Sequence, residues 1–322
     1  MKLSICIVNY NSGQLLSSCL NSIVAFPPTG DYEILVVDNN SADGSEYSAD
    51  NSPRTTLVRN DNNAGFARGN NQAFARASGD YLLLLNADTE VTPGALDRLL
   101  AFADTHPQAG LISAKLLDPD GTYQAGFNVR RLPGIATAIA QLTLLDEIWP
   151  RNPLTRRYAA ADIDPNRPQQ VEQPAASALL YRRSTYEQLG GLDEQFPNWY
   201  NDVDLCYRVR AAGWQVWYCP AAEVIHHGGM GAASRAAVSV VIESYRSQRR
   251  YFYKHFGTSG YTIVSGLVVI GMLLRLLSLA LQPQLARRVN TRARQSAPSS
   301  MRAAFRAVLR DTFSTWGSLP QA

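Results

Sequence analysis

Short apolar runs that stop at asparagine or aspartate, each leading into a segment of helical spacing, are the feature that most constrains this chain. "LSICIVN" (3–9) ends at Asn9-Tyr10-Asn11-Ser12, and Leu15, Leu16, Cys19, Leu20 and Ile23 then mark one helical face. "YEILVVDNNS" (32–41), "TTLVRN" (55–60) and "YLLLLN" (81–86) repeat the pattern. A helix over 65–78, stopped at Gly79-Asp80, precedes the last of these, and Pro93 opens the next helix. Strands that alternate with helices of this length need crossover connections and so give a mostly parallel sheet. The runs are apolar throughout, as strands covered on both faces are. Ligands of such sheets bind beyond the carboxyl ends of the strands. There the sequence places Asn9 and Asn11, Asp38 and Asn39, Asn60 and Asp61, then Asn86 and Asp88. Each alone reads more readily as an ordinary turn; together they point to a site on one edge.

The rest of the chain is more varied. "GLISAKL" (110–116) is a fifth strand, and residues 117–170, rich in Pro, Arg and Gly, read as a variable loop region with one helix over 134–148. A strand over 173–183, a helix over 202–214, two short strands in "VWYCP" and "AEVIHH", and a long helix over 234–256 follow. "YTIVSGLVVIGMLLRLLSLAL" (261–281) is apolar except for Arg275. It is long enough to cross a bilayer, to lie in its interface, or to form a buried helix. Seven arginines and no acid lie between Arg287 and Arg310, which suits an anionic membrane surface. A net charge of only +3 over 322 residues argues against nucleic acid as a partner. Cys6, Cys19, Cys206 and Cys219 form no Cys-x-x-Cys pair, so they read as buried thiols rather than a zinc site. The opening Met1-Lys2-Leu3-Ser4 carries no signal-peptide pattern, and a cytosolic catalytic face is expected.

Three constellations could carry chemistry. Asn86-x-Asp88 offers hard oxygens to Mg²⁺ or Mn²⁺, or else caps the helix at Pro93. Asp202 and Asp204 open a helix after Trp199-Tyr200-Asn201. A carboxylate against aromatic surface is partly desolvated, which raises its pKa and suits a general base, while N-capping is the structural alternative. "VIHHGG" sets His226 and His227 at a strand end, where one imidazole can approach an ion.

As a set, "SICIVNYNSGQLLSSCLNSI", "EILVVDNNSADGS", "NNAGFARGNNQAFARASGDYLLLLNADT" and "NDVDLCYRVRAAGW" resemble family 2 glycosyltransferases, and within them bacterial rhamnosyltransferases of cell-surface polysaccharide assembly. The resemblance runs over 3–256. It implies an α/β GT-A fold, a Rossmann-like mostly parallel sheet flanked by helices, with a C-terminal helical membrane-associating extension. A catalytic domain over 1–256 and a membrane-associating segment over 257–322 are expected. The resemblance also implies a nucleotide-sugar donor, Mg²⁺ or Mn²⁺, and inversion at the anomeric carbon. On it, Asn9 and Asn11 lie in the first donor loop, Asp38 binds the base, and Arg68 lies over the nucleotide and diphosphate. Asn86 and Asp88 match the Asp-x-Asp motif, with Asp88 as metal ligand and His226, rather than His227, completing the site. Asp202 matches the catalytic base, and Trp199 and Tyr200 are expected to contact the acceptor. Two positions depart from the commoner pattern: Asn86 replaces the first acid, and Asn201 replaces the glutamate before the base, removing a like charge beside Asp202.

dTDP-L-rhamnose is the expected donor, with UDP-hexoses or UDP-galactofuranose as alternatives, and a lipid-linked saccharide at the inner membrane surface is the expected acceptor. A sugar-1-phosphate nucleotidyltransferase would need a glycine-rich basic loop where "VNYNSGQ" stands. A processive synthase would carry several spans and a Gln-x-x-Arg-Trp signature where "SQRRYF" stands. A catalytically impaired scaffold draws on Asn86 and Asn201 alone.

Overall fold

The computed structural model of the chain describes residues 2–228, 238–281 and 298–320. Two compact units form: Met1–Leu132 with Asp162–Met230, and Pro133–Ala161 with Gly231–Ala322. This division differs from the one expected at 256/257, because 133–161 packs with the C-terminal helices rather than with the sheet.

The strands of the first unit are β1 (Leu3–Asn9), β2 (Tyr32–Asp38), β3 (Thr55–Arg59), β4 (Tyr81–Leu85), β5 (Thr89–Val91), β6 (Ala109–Leu117), β7 (Val129–Arg130), β8 (Gln169–Gln170), β9 (Gln173–Pro174), β10 (Ala178–Arg182) and β11 (Gln215–His226). The main sheet runs β3-β2-β1-β4-β10-β6-β11-β5, with β8 beside β11, while β7 and β9 pair separately. The first four strands are parallel, as their alternation with helices requires. β10 enters between β4 and β6 antiparallel to both, so the sheet is mixed. β11 is one strand rather than two, with a register shift between Cys219 and Glu223.

The leucines of β4 are buried against β1 and β10, which explains a run with no polar face. Helix α1 (Gln14–Ala25) buries Leu16, Cys19, Leu20 and Ile23 against this sheet. All four cysteines are buried free thiols. The helix over Phe66–Phe74 ends at Ala75, short of the expected stop at Gly79; Gly79 instead lies against the β1 backbone, where a Cβ would stand 2.6 Å from Ser4 N. Gly79 N also donates to Ser4 Oγ at 2.8 Å.

In the second unit, the helical stretch Val238–Leu281 breaks at Gly257, which takes φ 68° and ψ −167°. Beyond the break, Tyr261, Val264, Val268, Met272 and Leu279 are buried, and the stretch packs on the Pro298–Thr315 helix and on the helix over Ile135–Leu142. Arg275 faces this packed side. Its guanidinium donates to Leu142 O at 3.1 Å, Gln141 O at 3.1 Å and Glu147 Oε1 at 3.3 Å. A cation on the last carbonyls of a helix satisfies groups that would otherwise lack partners.

Gly79→Ala is expected to destabilise the first unit by about 1–3 kcal/mol, because the obstacle is backbone and cannot swing away. Gly30→Ala, whose Cβ would meet nothing nearer than 3.7 Å, is expected to be near neutral. Urea unfolding of the two variants checks the contrast.

Candidate active site

Sheet register builds the site in three groups. Asn9 and Asp38 end adjacent parallel strands and stand opposite each other. Asn9 Nδ2 donates to Asp38 Oδ1 at 2.7 Å and Ser45 Oγ at 2.8 Å, and Ser12 Oγ donates to Asn9 Oδ1. Ser41 donates to both Asp38 oxygens, through Oγ at 2.6 Å and its backbone N at 3.0 Å. Asn11 Oδ1 accepts from Ala42 N at 2.7 Å, and Asp43 Oδ2 accepts from Gly13 N at 2.7 Å, so the loops after β1 and β2 are tied together. Asn39 Nδ2 donates to Gly65 O at 3.1 Å and Asn60 Nδ2 donates to Asn39 Oδ1 at 2.9 Å, which links the third strand end to the glycine before the Phe66–Phe74 helix. Arg68 sits exposed on the first turn of that helix. Residues 66 and 67 bond to Asn198 Oδ1 at 3.3 Å and Pro197 O at 3.0 Å, beside the 199–202 segment.

The second group lies where β4 ends. Thr89 turns the chain by donating from Oγ1 to Asn86 O at 2.7 Å, and β5 then pairs antiparallel with the end of β11. His226 stands opposite Thr89, and His227 N donates to Asp88 O at 2.9 Å. His226 Nε2 consequently faces Asp88 Oδ1 at 3.5 Å, both side chains being buried. Successive residues of a strand point to opposite faces. His227 accordingly turns the other way, to Glu90 Oε1 at 2.7 Å. Asn86 Nδ2 donates to Ser177 Oγ at 3.2 Å, and Ser177 Oγ lies 3.4 Å from His226 Nε2. Asn86 Oδ1 is buried with no hydrogen-bond partner among the described residues. Among those residues no cluster of three or more His, Cys, Asp or Glu side chains forms a closed metal cage. A carboxylate, an imidazole and an orphaned amide oxygen fit a divalent cation whose shell is completed by a substrate's phosphates.

The third group surrounds Asp202, in the first turn of the Asn201–Ala211 helix. Gln173 Nε2 donates to Asp202 Oδ2 at 3.1 Å and Val203 N to Oδ1 at 2.9 Å. Burial pushes the Asp202 carboxyl above its ordinary range; the Arg130 charge and nearby backbone N–H groups oppose this but do not overcome it. The neighbours that hold the carboxylate are thus Gln173, Arg130 and backbone, and Trp199, 36% exposed, stands on the open side of the loop. Tyr200 takes a left-handed conformation, φ 66°, and its carbonyl accepts from Asp204 N at 2.8 Å to start the helix. Asp204 is fully buried and accepts from Arg208 Nε at 2.8 Å, so it holds the helix rather than the site. Asn201 is buried too, donating to Phe196 O at 3.3 Å.

Sequence reading missed Ser177, Gln173, Arg130, Gln124 and Phe127. Phe127 stacks on the His226 ring, centroids 5.2 Å apart, and Arg130 lies 5.4 Å over Phe127, joining the second group to the third. Of the five, only Phe127 and Arg130 carry a sequence signal, the "FNVRR" cluster within the Pro-, Arg- and Gly-rich 117–170 segment.

The sequence profile described as Glycosyl transferase family 2 matches residues 4–164. The chain is also 32% identical over 233 residues to N-acetylglucosaminyl-diphospho-decaprenol L-rhamnosyltransferase of Mycobacterium tuberculosis, covering 68% of this chain and 74% of that protein. The chain belongs to glycosyltransferase family 2. This glycosyltransferase is 30% identical over 245 residues to the O-antigen biosynthesis protein RfbC of Myxococcus xanthus, across 74% of its own length and 18% of that protein's. Its fold matches a mannosyltransferase from Pyrobaculum calidifontis, solved with GDP-Man and Mn²⁺, with a TM-score of 0.52 at 15% identity over 98% of this chain and 88% of that one. The expected mixed α/β GT-A architecture is therefore present.

Asp202 has a stability consequence. A carboxyl whose folded pKa lies above its unfolded value costs nothing where both states are protonated. It costs its full amount once pH exceeds the folded value. Asp202→Asn is therefore expected to stabilise the glycosyltransferase more at about pH 8 than at about pH 3, measured as the difference in unfolding free energy from wild type.

Proposed function

We propose that this glycosyltransferase transfers L-rhamnose from dTDP-L-rhamnose, with inversion, onto a hydroxyl of a lipid-linked saccharide at the cytoplasmic membrane surface. The observation that carries the donor and acceptor is the similarity to the mycobacterial L-rhamnosyltransferase, whose name specifies a diphospho-decaprenol acceptor, across most of that protein. The site geometry supports the chemistry.

Asp38, with lone pairs beyond those used by Asn9 and Ser41, receives N–H donors of the base. Asp88 and His226 would hold the divalent cation, with Asn86 Oδ1 beside them. Such a cation, when bound, neutralises charge on the departing diphosphate. Arg68, exposed on its helix turn, reaches over the same diphosphate. Asp202 takes the proton of the acceptor hydroxyl as that oxygen attacks the anomeric carbon from the face opposite the leaving group. Its raised pKa makes it a better proton acceptor than an exposed aspartate. Trp199 and Tyr200, just before it, flank the acceptor.

Membrane association rests on the second unit. The stretch after Gly257 is long and apolar enough to cross a membrane. One of its faces is packed, however, and Arg275 lies on that face. The opposite face exposes Ile263, Ile270, Leu273, Leu277 and Leu281. Arg302, Arg306 and Arg310 repeat every fourth residue on the exposed side of the Pro298–Thr315 helix; Arg287, Arg288, Arg292 and Arg294 fall outside the described residues. A helix half buried in protein and half apolar to the outside suits lying in the interface, with arginines on anionic headgroups.

Calorimetric binding of dTDP-rhamnose, UDP-glucose, UDP-galactofuranose and GDP-mannose, each with and without Mn²⁺, tests the donor. Metal-dependent binding of dTDP-rhamnose is expected, and preference for another sugar would replace it. Asp202→Asn is expected to keep donor affinity and lose about 10²–10⁴-fold in turnover; near-normal turnover would remove Asp202 as the base. Gln at Ile270, Leu273 and Leu277 together is expected to move the protein from anionic vesicles to the supernatant in a sedimentation assay. Unchanged partitioning would reject this face.

A further inference from the structure

The chain leaves β6 and returns at once. Asp118 N donates to Thr122 O at 2.8 Å, Leu117 bridges Tyr123, and Gln124 N donates to Leu116 O at 3.0 Å. This hairpin sets the Gln124 side chain against the end of β11, where its amide makes three bonds. Nε2 donates to Asp118 Oδ1 at 2.7 Å and to His226 O at 2.9 Å, and Oε1 lies 2.9 Å from His226 Nδ1. Both amide N–H groups meet groups that can only accept, a carboxylate and a carbonyl. Turning the amide over would set Oε1 against both of them, so the network fixes the amide's orientation. Oε1 can only accept, and His226 Nδ1 must then carry the proton. Nε2 is left with its lone pair toward Asp88 Oδ1 at 3.5 Å, with Ser177 Oγ at 3.4 Å able to donate to it. Phe127, stacked 13° from parallel with the imidazole, holds the ring plane.

We infer that Gln124 is a positioning residue that locks His226 as its Nδ1–H tautomer and presents Nε2 for coordination beside Asp88. The metal half of this inference rests on the cation site proposed above; the tautomer half does not. A ligand histidine whose second nitrogen donates to a fixed acceptor is oriented and made more basic at the ligating nitrogen.

The test separates the two halves. ¹⁵N-histidine NMR of the metal-free protein, at a pH where the imidazole is neutral, reads the tautomer, and His226→Gln assigns the signals among the four histidines. Wild type is expected as Nδ1–H. Gln124→Leu and the slimmer-polarity variant Gln124→Met are expected to shift His226 toward Nε2–H, with the other histidines unmoved as the check on folding. An Nε2–H or doubly protonated His226 in wild type, or an unchanged tautomer in both variants, overturns the lock. Mn²⁺ titration in the presence of dTDP then reads the site. Gln124→Leu is expected to weaken Mn²⁺ about 10–100-fold, and Asp88→Asn to abolish binding. If wild type binds no Mn²⁺, the cation reading fails and the tautomer result still decides the role of Gln124. Wild-type Mn²⁺ affinity in Gln124→Leu overturns the metal half.

Discussion

The antiparallel pairing of Thr89–Val91 with Val224–His226 is the constraint on which the rest of the site depends. Asp88 and His226 are 138 residues apart in sequence. Neither has a local reason to approach the other, since a buried carboxylate and a buried imidazole both cost desolvation free energy. Main-chain hydrogen bonds bring them together, and the sheet interior supplies the free energy that keeps them there. The leucines of β4 anchor the strand on one side of the turn and the β6–β11 pairing anchors the strand on the other. Asn86-Ala87-Asp88 lies between β4 and β5, each held in the sheet.

The backbone framework was legible from sequence because it is written in apolar periodicity. β1 to β4 and the buried stripe of α1 follow from residue pattern alone. Polar strand ends stood out as a candidate site because aspartate and asparagine contrast with such runs, and the register of Asn9 with Asp38 brings two of them together. The neutral amides were not legible. Gln124 and Gln173 gain meaning only from which atoms face them; the first sits where composition suggested a variable loop and the second at the start of an expected strand. Ser177 failed to stand out for the same reason: its hydroxyl matters only because β10 enters antiparallel and delivers it to Asn86.

Arg275 shows how composition misleads on burial. In sequence it interrupts an apolar stretch and bears on whether that stretch can cross a bilayer. In the structure it lies on the packed face, spending its charge on the closing carbonyls of the Ile135–Leu142 helix and on Glu147. The outward face is apolar regardless of the arginine. The same packing draws 133–161 into the C-terminal unit, so chain order and compact unit disagree here.

The hairpin between β6 and Gln124 has a consequence for how this chain can vary over generations. Its tip, Asp120 and Gly121, is exposed and bonded only to itself. Length changes there leave the flanking bridge of Leu117 with Tyr123 in place. A single-residue slip beyond that bridge exchanges the faces of neighbouring side chains, and would offer Tyr123 or Ala125 to His226 in place of an amide. Insertions and deletions should therefore accumulate at the tip and be purged one step down the ladder, so that the length of the loop drifts while the parity of its return is inherited.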